Sequence, residues 1–167
     1  VEDIVAQVMR QWQRVNPELD TAPMAVIGRL NRCFLLIQQA TDAPLRGHGL
    51  TRPEFDILGT LRRLDQELTP SQIARETFAS GAAVTKRLRF LQERGLVIRR
   101  PDDRDRRVSH LSLTEQGRTI IDQMLPEQVG YDASLLAGLD AERQRELAGL
   151  LGELLLLLEG RLGTRQP

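Results

Sequence analysis

The sequence predicts a mostly α-helical chain carrying one small β-hairpin. Three observations carry that prediction. Apolar residues recur at helical spacing along most of the 167 residues. Ser/Thr-capped starts, two of them with proline in the first turn, punctuate those runs. Two short alternating runs, "LVIRR" and "VSHLSL", flank a densely charged segment. Hydrophobic residues make up 41% and charged residues 28%, a balance that suits one domain with a sizeable core.

The elements follow in order. Ile4, Val5, Val8, Met9, Trp12 and Val15 define an amphipathic helix over residues 1–15, which Asn16-Pro17 stops. Asp20, Thr21 and Pro23 start a second helix. Met24, Ile27, Leu30, Phe34, Leu35 and Ile37 give it an apolar face up to about Thr41, and "APLRGHGL" is expected to be a loop. Thr51-Arg52-Pro53-Glu54 is a capping box opening a helix with Phe55, Leu58, Leu61 and Leu64. Thr69-Pro70-Ser71-Gln72 repeats the device ahead of a short helix carrying Ile73 and Ala74. Ser80 caps a further helix with Val84, Leu88 and Leu91 inside, and Gly95 supplies its left-handed stop. The hairpin comes next. Thr114-Glu115-Gln116 opens a helix to about Leu136, and Asp140 starts the last helix. That helix holds "LLGELLLLLEG", whose Glu153 and Glu159 interrupt it well short of the roughly 20 apolar residues of a membrane span.

Charge is neutral overall but unevenly placed. From Lys86 to Arg107 the chain carries nine basic and four acidic residues, a net of +5, so the remainder sums to −5. The positive charge therefore falls on one helix and the hairpin behind it. A helix of this kind fits the major groove of DNA, about 12 Å wide, while an arginine-tipped ribbon reaches the adjacent minor groove. Two short capped helices ahead of a hairpin make a winged helix-turn-helix. A charge run alone is usually a solvated loop; its offset from the two helices is what points to double-stranded DNA. Other classes find little support. His48 and His110 are the only histidines, and the sequence has no nucleophile elbow, phosphate loop or metal-spaced cluster, so neither an enzyme nor a bound metal or cofactor is expected. The single cysteine, Cys33, excludes an intrachain disulfide, and the charged N-terminal stretch is unlike a signal peptide. A cytoplasmic protein is expected.

The stretches "LTRPEFDILGTL", "LTPSQIARETFASGAAVTKRLRFLQERGLVIRR" and "DDRDRRVSHLSLTEQGR" resemble the MarR family of bacterial transcription regulators, and the resemblance runs from about Pro23 to Gly160. It implies a homodimer, usually a repressor, on a pseudo-palindromic operator. Residues 1–50 would form N-terminal helices for dimerisation and a ligand-pocket wall. Residues 51–113 would form the DNA-binding domain, and 114–167 the C-terminal dimerisation helices. In the recognition helix Ser80, Gly81, Ala82, Ala83, Thr85 and Lys86 are expected at DNA, with Ser71 and Arg87 as further candidates. The family's wing carries Asp-x-Arg. Asp105-Arg106-Arg107 and Asp102-Asp103-Arg104 both fit that pattern. The first fit puts Arg107 in the minor groove, oriented by Asp105, with Arg104 and Arg106 on phosphates.

The extra first helix resembles that of the urate-responsive members of the family. Trp12, Asp56, Arg63 and Arg89 match their ligand-binding pattern by position. The chemistry suits a small planar anion, urate or a related purine. Two arginines supply charge and paired donors, Trp12 a stacking face, and Asp56 either repels the anion or accepts from a ring N–H. Two other inputs stay open at this level: a phenolic or aromatic acid in the same cleft, and peroxide sensing through Cys33.

Overall fold

The computed structural model describes residues 2–105 and 107–162, with the backbone alone at 41–43 and 162. Among these residues seven helices carry one hairpin between the fifth and sixth. The chain forms two compact units, one up to Leu125 and one from Pro126 onward.

Helix α1 (Ile4–Val15) starts at Asp3, whose carboxylate accepts from Val5 and Ala6 N–H. Those N–H groups and Arg29 hold the Asp3 carboxyl below its usual range. Helix α2 (Ala22–Gly47) lies against α1 where Gly28 meets Val5; a Cβ on Gly28 would come within 2.9 Å of Val5 Cγ1. The helix runs past its expected end at Thr41, straight through Pro44. An interior proline costs about 3 kcal/mol on its own. Burying a leucine returns about 1.5–3 kcal/mol. Continuing the helix places Leu45, 1% exposed, and the turn after it places Leu50, so core burial overrides the local signal.

Helices α3 (Arg52–Leu64), α4 (Pro70–Glu76) and α5 (Gly81–Glu93) form the central layer. Thr51 N–H donates to the Glu54 carboxylate at 2.8 Å, and Thr69 N–H donates to the Gln72 side chain at 2.8 Å. Leu58, Ile73, Val84, Leu88 and Leu91 are fully buried together. Gly95, at φ +68°, turns the chain from α5 into the hairpin. Strands β1 (Val97–Pro101) and β2 (Ser109–Leu113) pair antiparallel, with Val97 opposite Leu113 and Arg99 opposite Leu111. Leu111 also exchanges both backbone hydrogen bonds with Leu68 in the α3–α4 loop, at 2.8 and 3.0 Å. The wing is thereby fastened to the loop just ahead of the helix-turn-helix.

Helix α6 (Glu115–Leu135) begins under the wing. Thr114 N–H donates to Leu96 carbonyl, and Gly117 lies so close that an added Cβ would sit 2.0 Å from that same oxygen. Helix α7 (Ala141–Leu162) starts at Asp140, which accepts from Arg143 N–H.

Candidate nucleic-acid interface and effector cleft

Ser80 N-caps α5, its hydroxyl accepting from Ala83 N–H at 3.3 Å. The first turn is small, and Gly81, Ala82, Thr85 and Lys86 are exposed, with Ala83 half-buried. Such a surface lets a helix sit close to base edges, where alanine meets thymine methyls. Thr85 Oγ1 is turned back onto the Gly81 carbonyl at 2.9 Å. Ser71 is exposed on α4. Arg87 points the other way: it donates to Thr51 Oγ1 at 3.4 Å and lies 3.8 Å from the buried Glu54 carboxylate. It therefore anchors α5 to the start of α3.

At the wing tip Asp105 accepts both Nε and Nη2 of Arg107 at 3.1 Å each, a planar two-point grip. Arg107 remains 90% exposed, so the carboxylate aims the guanidinium without covering it. That guanidinium holds the Asp105 carboxyl below its usual range. The second Asp-x-Arg fit has a different task. Asp102 accepts from the backbone N–H of Arg104 and Asp105 and faces His110 Nε2 at 2.8 Å. The His110 contact first, then the two N–H groups, bring the Asp102 carboxyl down to about 2. Arg104 is exposed beside it, and Arg106 lies outside the described residues.

Part of the positive charge is matched by acceptors of the fold. Arg94 donates to the carbonyls of His48 and Gly49, Arg100 is paired with Glu67, and Arg89 with Glu93. Among the described residues of the segment, Lys86, Arg89, Arg99, Arg100, Arg104 and Arg107 are exposed, Arg89, Arg100 and Arg107 each with a carboxylate beside it.

A cleft of about 600 Å³ opens between α3, the end of α4 and α6. Phe55, Ile121, Leu125 and Phe78 give it apolar walls, and Asp56, Arg62, Arg63, Glu76 and Asp122 line it with charge. Of the four expected ligand residues it gathers Asp56 and Arg63; Trp12 and Arg89 do not line it. Trp12 is 48% exposed on α1, and Arg89 lies on the open face of α5, held by Glu93 one turn on. Asp56 is paired with an arginine, Arg52, four residues earlier on the same helix, at 2.9 Å. Arg63 instead donates to Glu76 at 2.6 Å. Arg62 grips Asp122 through two nitrogens, at 2.7 and 3.2 Å, which raises the guanidinium and lowers the carboxyl.

This arrangement matches known proteins in sequence as well as shape. A model of the MarR family matches residues 48–108. The HTH-type transcriptional regulator PecS of Dickeya dadantii is 36% identical over 150 residues, spanning 89% of this chain and 90% of the relative. The chain belongs to the MarR family. It is a DNA-binding transcription regulator, not an enzyme. Among solved structures, the Staphylococcus aureus MepR–DNA complex superposes with TM-score 0.70 at 23% identity, covering 80% of this chain and 98% of that one. Bordetella bronchiseptica BpsR, in a structure on regulation of its DNA binding by 6-hydroxynicotinic acid, gives 0.69 at 23% identity over 77% and 91%.

Several features of the regulator escaped sequence reasoning. Phe78 adopts φ +52° in the α4–α5 turn and is 92% exposed, a costly placement for an aromatic residue that local sequence does not announce. Glu76 and Asp122 come to the cleft from elements far apart in sequence, and no spacing rule links them to Arg63 and Arg62. Cys33 stands exposed on α2. Among the described residues no group of three His, Cys, Asp or Glu could hold a metal ion, and no helix is long and apolar enough to cross a membrane.

Proposed function

We propose that this regulator binds a pseudo-palindromic operator as a homodimer, represses from it in the cytoplasm, and is released by a planar anion, urate or a related purine. The observation that carries the DNA half is the Asp105–Arg107 grip beside a small, exposed recognition-helix surface. The dimer is supported by large apolar side chains exposed on α2 and on α7, such as Phe34, Ile37, Leu150, Leu155 and Leu156. Two copies related by a twofold axis would present two recognition helices to half-sites about one turn of DNA apart, roughly 10 bp.

The effector half is supported by the cleft. Arg63 offers charge and directional donors, Asp56 an acceptor for a ring N–H, and Phe78 the aromatic face expected of Trp12. A second reading, an aromatic carboxylate, draws on the apolar walls of Phe55, Ile121 and Leu125 beside two arginines. BpsR, which answers to 6-hydroxynicotinic acid, makes that acid a natural member of the panel.

The test is anisotropy of a labelled operator duplex titrated with protein, repeated across salt, then with urate, xanthine, salicylate and 6-hydroxynicotinic acid. Steep salt dependence is expected from phosphate contacts. Release by urate or xanthine at sub-millimolar concentration supports the purine reading, and release by the carboxylates alone replaces it with the second. No release by any of them at millimolar concentration removes the effector assignment. Peroxide treatment of the wild type and of Cys33→Ser is expected to leave DNA binding alike in both.

A further inference from the structure

We propose that Glu76 is a built-in competitor of the anionic effector: its carboxylate occupies Arg63 in the empty cleft, and an arriving anion displaces it and loosens the end of α4. The inference rests on the effector reading above and adds the device that would connect the cleft to DNA.

The geometry distinguishes the two arginines. Arg62 is gripped at two nitrogens by Asp122. Arg63 meets Glu76 through Nη2 alone among the described hydrogen bonds, its side chain is more than half exposed, and it lines the cleft. A planar anion therefore finds in Arg63 a partner that is already oriented and easily exchanged. Exposed ion pairs contribute at most about 1 kcal/mol, equivalent to about fivefold in affinity, so a two-point contact outcompetes a one-point one.

Position makes the exchange consequential. Glu76 is the last residue of α4. Three residues, Thr77, Phe78 and Ala79, separate it from Ser80, the cap of recognition helix α5. Thr77 is bonded back to Ile73 through both N–H and hydroxyl, whereas Phe78 N–H reaches Arg75 carbonyl only at 3.4 Å, in left-handed backbone. The Arg63–Glu76 bond ties this turn to α3 directly. When the anion takes Arg63, the turn keeps its local bonds and loses its ion pair to α3, and Ser80 and the first turn of α5 lose that constraint. The anion thus binds the loosened form better than the tied form, the differential affinity that a ligand switch requires.

The test uses the full-length protein, with urate and salicylate as probes. Anion Kd is read by calorimetry and operator Kd by anisotropy, with and without saturating anion. Glu76→Gln is expected to bind anion up to about fivefold tighter, to bind operator more weakly when anion is absent, and to respond to anion by a correspondingly smaller factor. Glu76→Asp should fall between it and the wild type. Asp122→Asn removes the same charge from the same cleft but leaves α4 tied, so its anion response should stay as large as in the wild type. If Glu76→Gln matches the wild type in anion Kd and in anion response, or if Asp122→Asn behaves like Glu76→Gln, the competitor role is overturned while the effector reading stands. If the wild type binds neither probe at millimolar concentration, both fall together.

Discussion

At the scale of single residues, function turns on which carboxylate holds which guanidinium. Asp105 offers both oxygens to Arg107 and leaves it outside, so the wing presents a pre-aimed cation rather than a flexible one. Arg107→Ala should weaken operator binding by about 1–3 kcal/mol and lower the slope of log K against log salt by about one unit. Asp105→Asn keeps the Arg107 cation and loses the two-oxygen carboxylate grip that aims it, so affinity should fall with the salt slope nearly unchanged; anisotropy titrations at several salt concentrations read both. Asp102 works on the backbone of the tip instead. Its carboxyl sits at about 2 against an ordinary 3.8, drawn down first by His110. A depressed carboxyl stabilises the folded form while ionised. Its contribution is therefore complete above pH 3.8 and is lost as pH falls through about 2. The Tm difference between the wild type and Asp102→Asn, present at neutral pH, should close across that window.

At the scale of elements, helix starts were legible because a capping residue and its N3 partner are neighbours in sequence, as at Thr51 and Thr69. The end of α2 was not, because Leu45 and Leu50 are buried by residues the local sequence does not contain. The helix capped by Ser80 was legible from its cap and spacing, whereas the Asp-x-Arg of the wing came from the family resemblance and left two registers open. The cleft could be only half read: Asp56 and Arg63 share a helix face two turns apart, while Glu76 and Phe78 enter through tertiary packing. Two elements carry their own tests. Gly117 brings α6 against Leu96 so closely that Gly117→Ala must separate them, an overpacking cost of about 1–3 kcal/mol visible as a lowered Tm. Phe78 stores cost in its left-handed backbone and exposed ring. Phe78→Gly should leave stability unchanged or raise it by up to about 1 kcal/mol. The same change should weaken binding of a planar effector about threefold to tenfold through lost stacking. A fall in Tm with unchanged effector affinity would reassign Phe78 to folding.

At the scale of the molecule, the surface is the problem to be solved. Net charge is zero, so little electrostatic repulsion keeps copies apart. Large apolar side chains are nevertheless exposed along α2 and α7, with Leu156 at 72% and Phe34 at 58%. Soluble monomers rarely leave such surfaces open, and under the proposed homodimer a second copy covers them and brings the second recognition helix that two half-sites call for. Light scattering after size exclusion should then give twice the 18.9 kDa chain mass. The double change Leu155→Asp and Leu156→Asp puts charge on that surface without touching the helix-turn-helix, the wing or the cleft. It should shift the mass toward one chain, keep the helical far-UV spectrum, and cost affinity mainly on a duplex with two half-sites rather than on one carrying a single half-site. Equal losses on both duplexes would mean that one chain reads DNA alone, and the apolar faces would then need a partner other than a second copy.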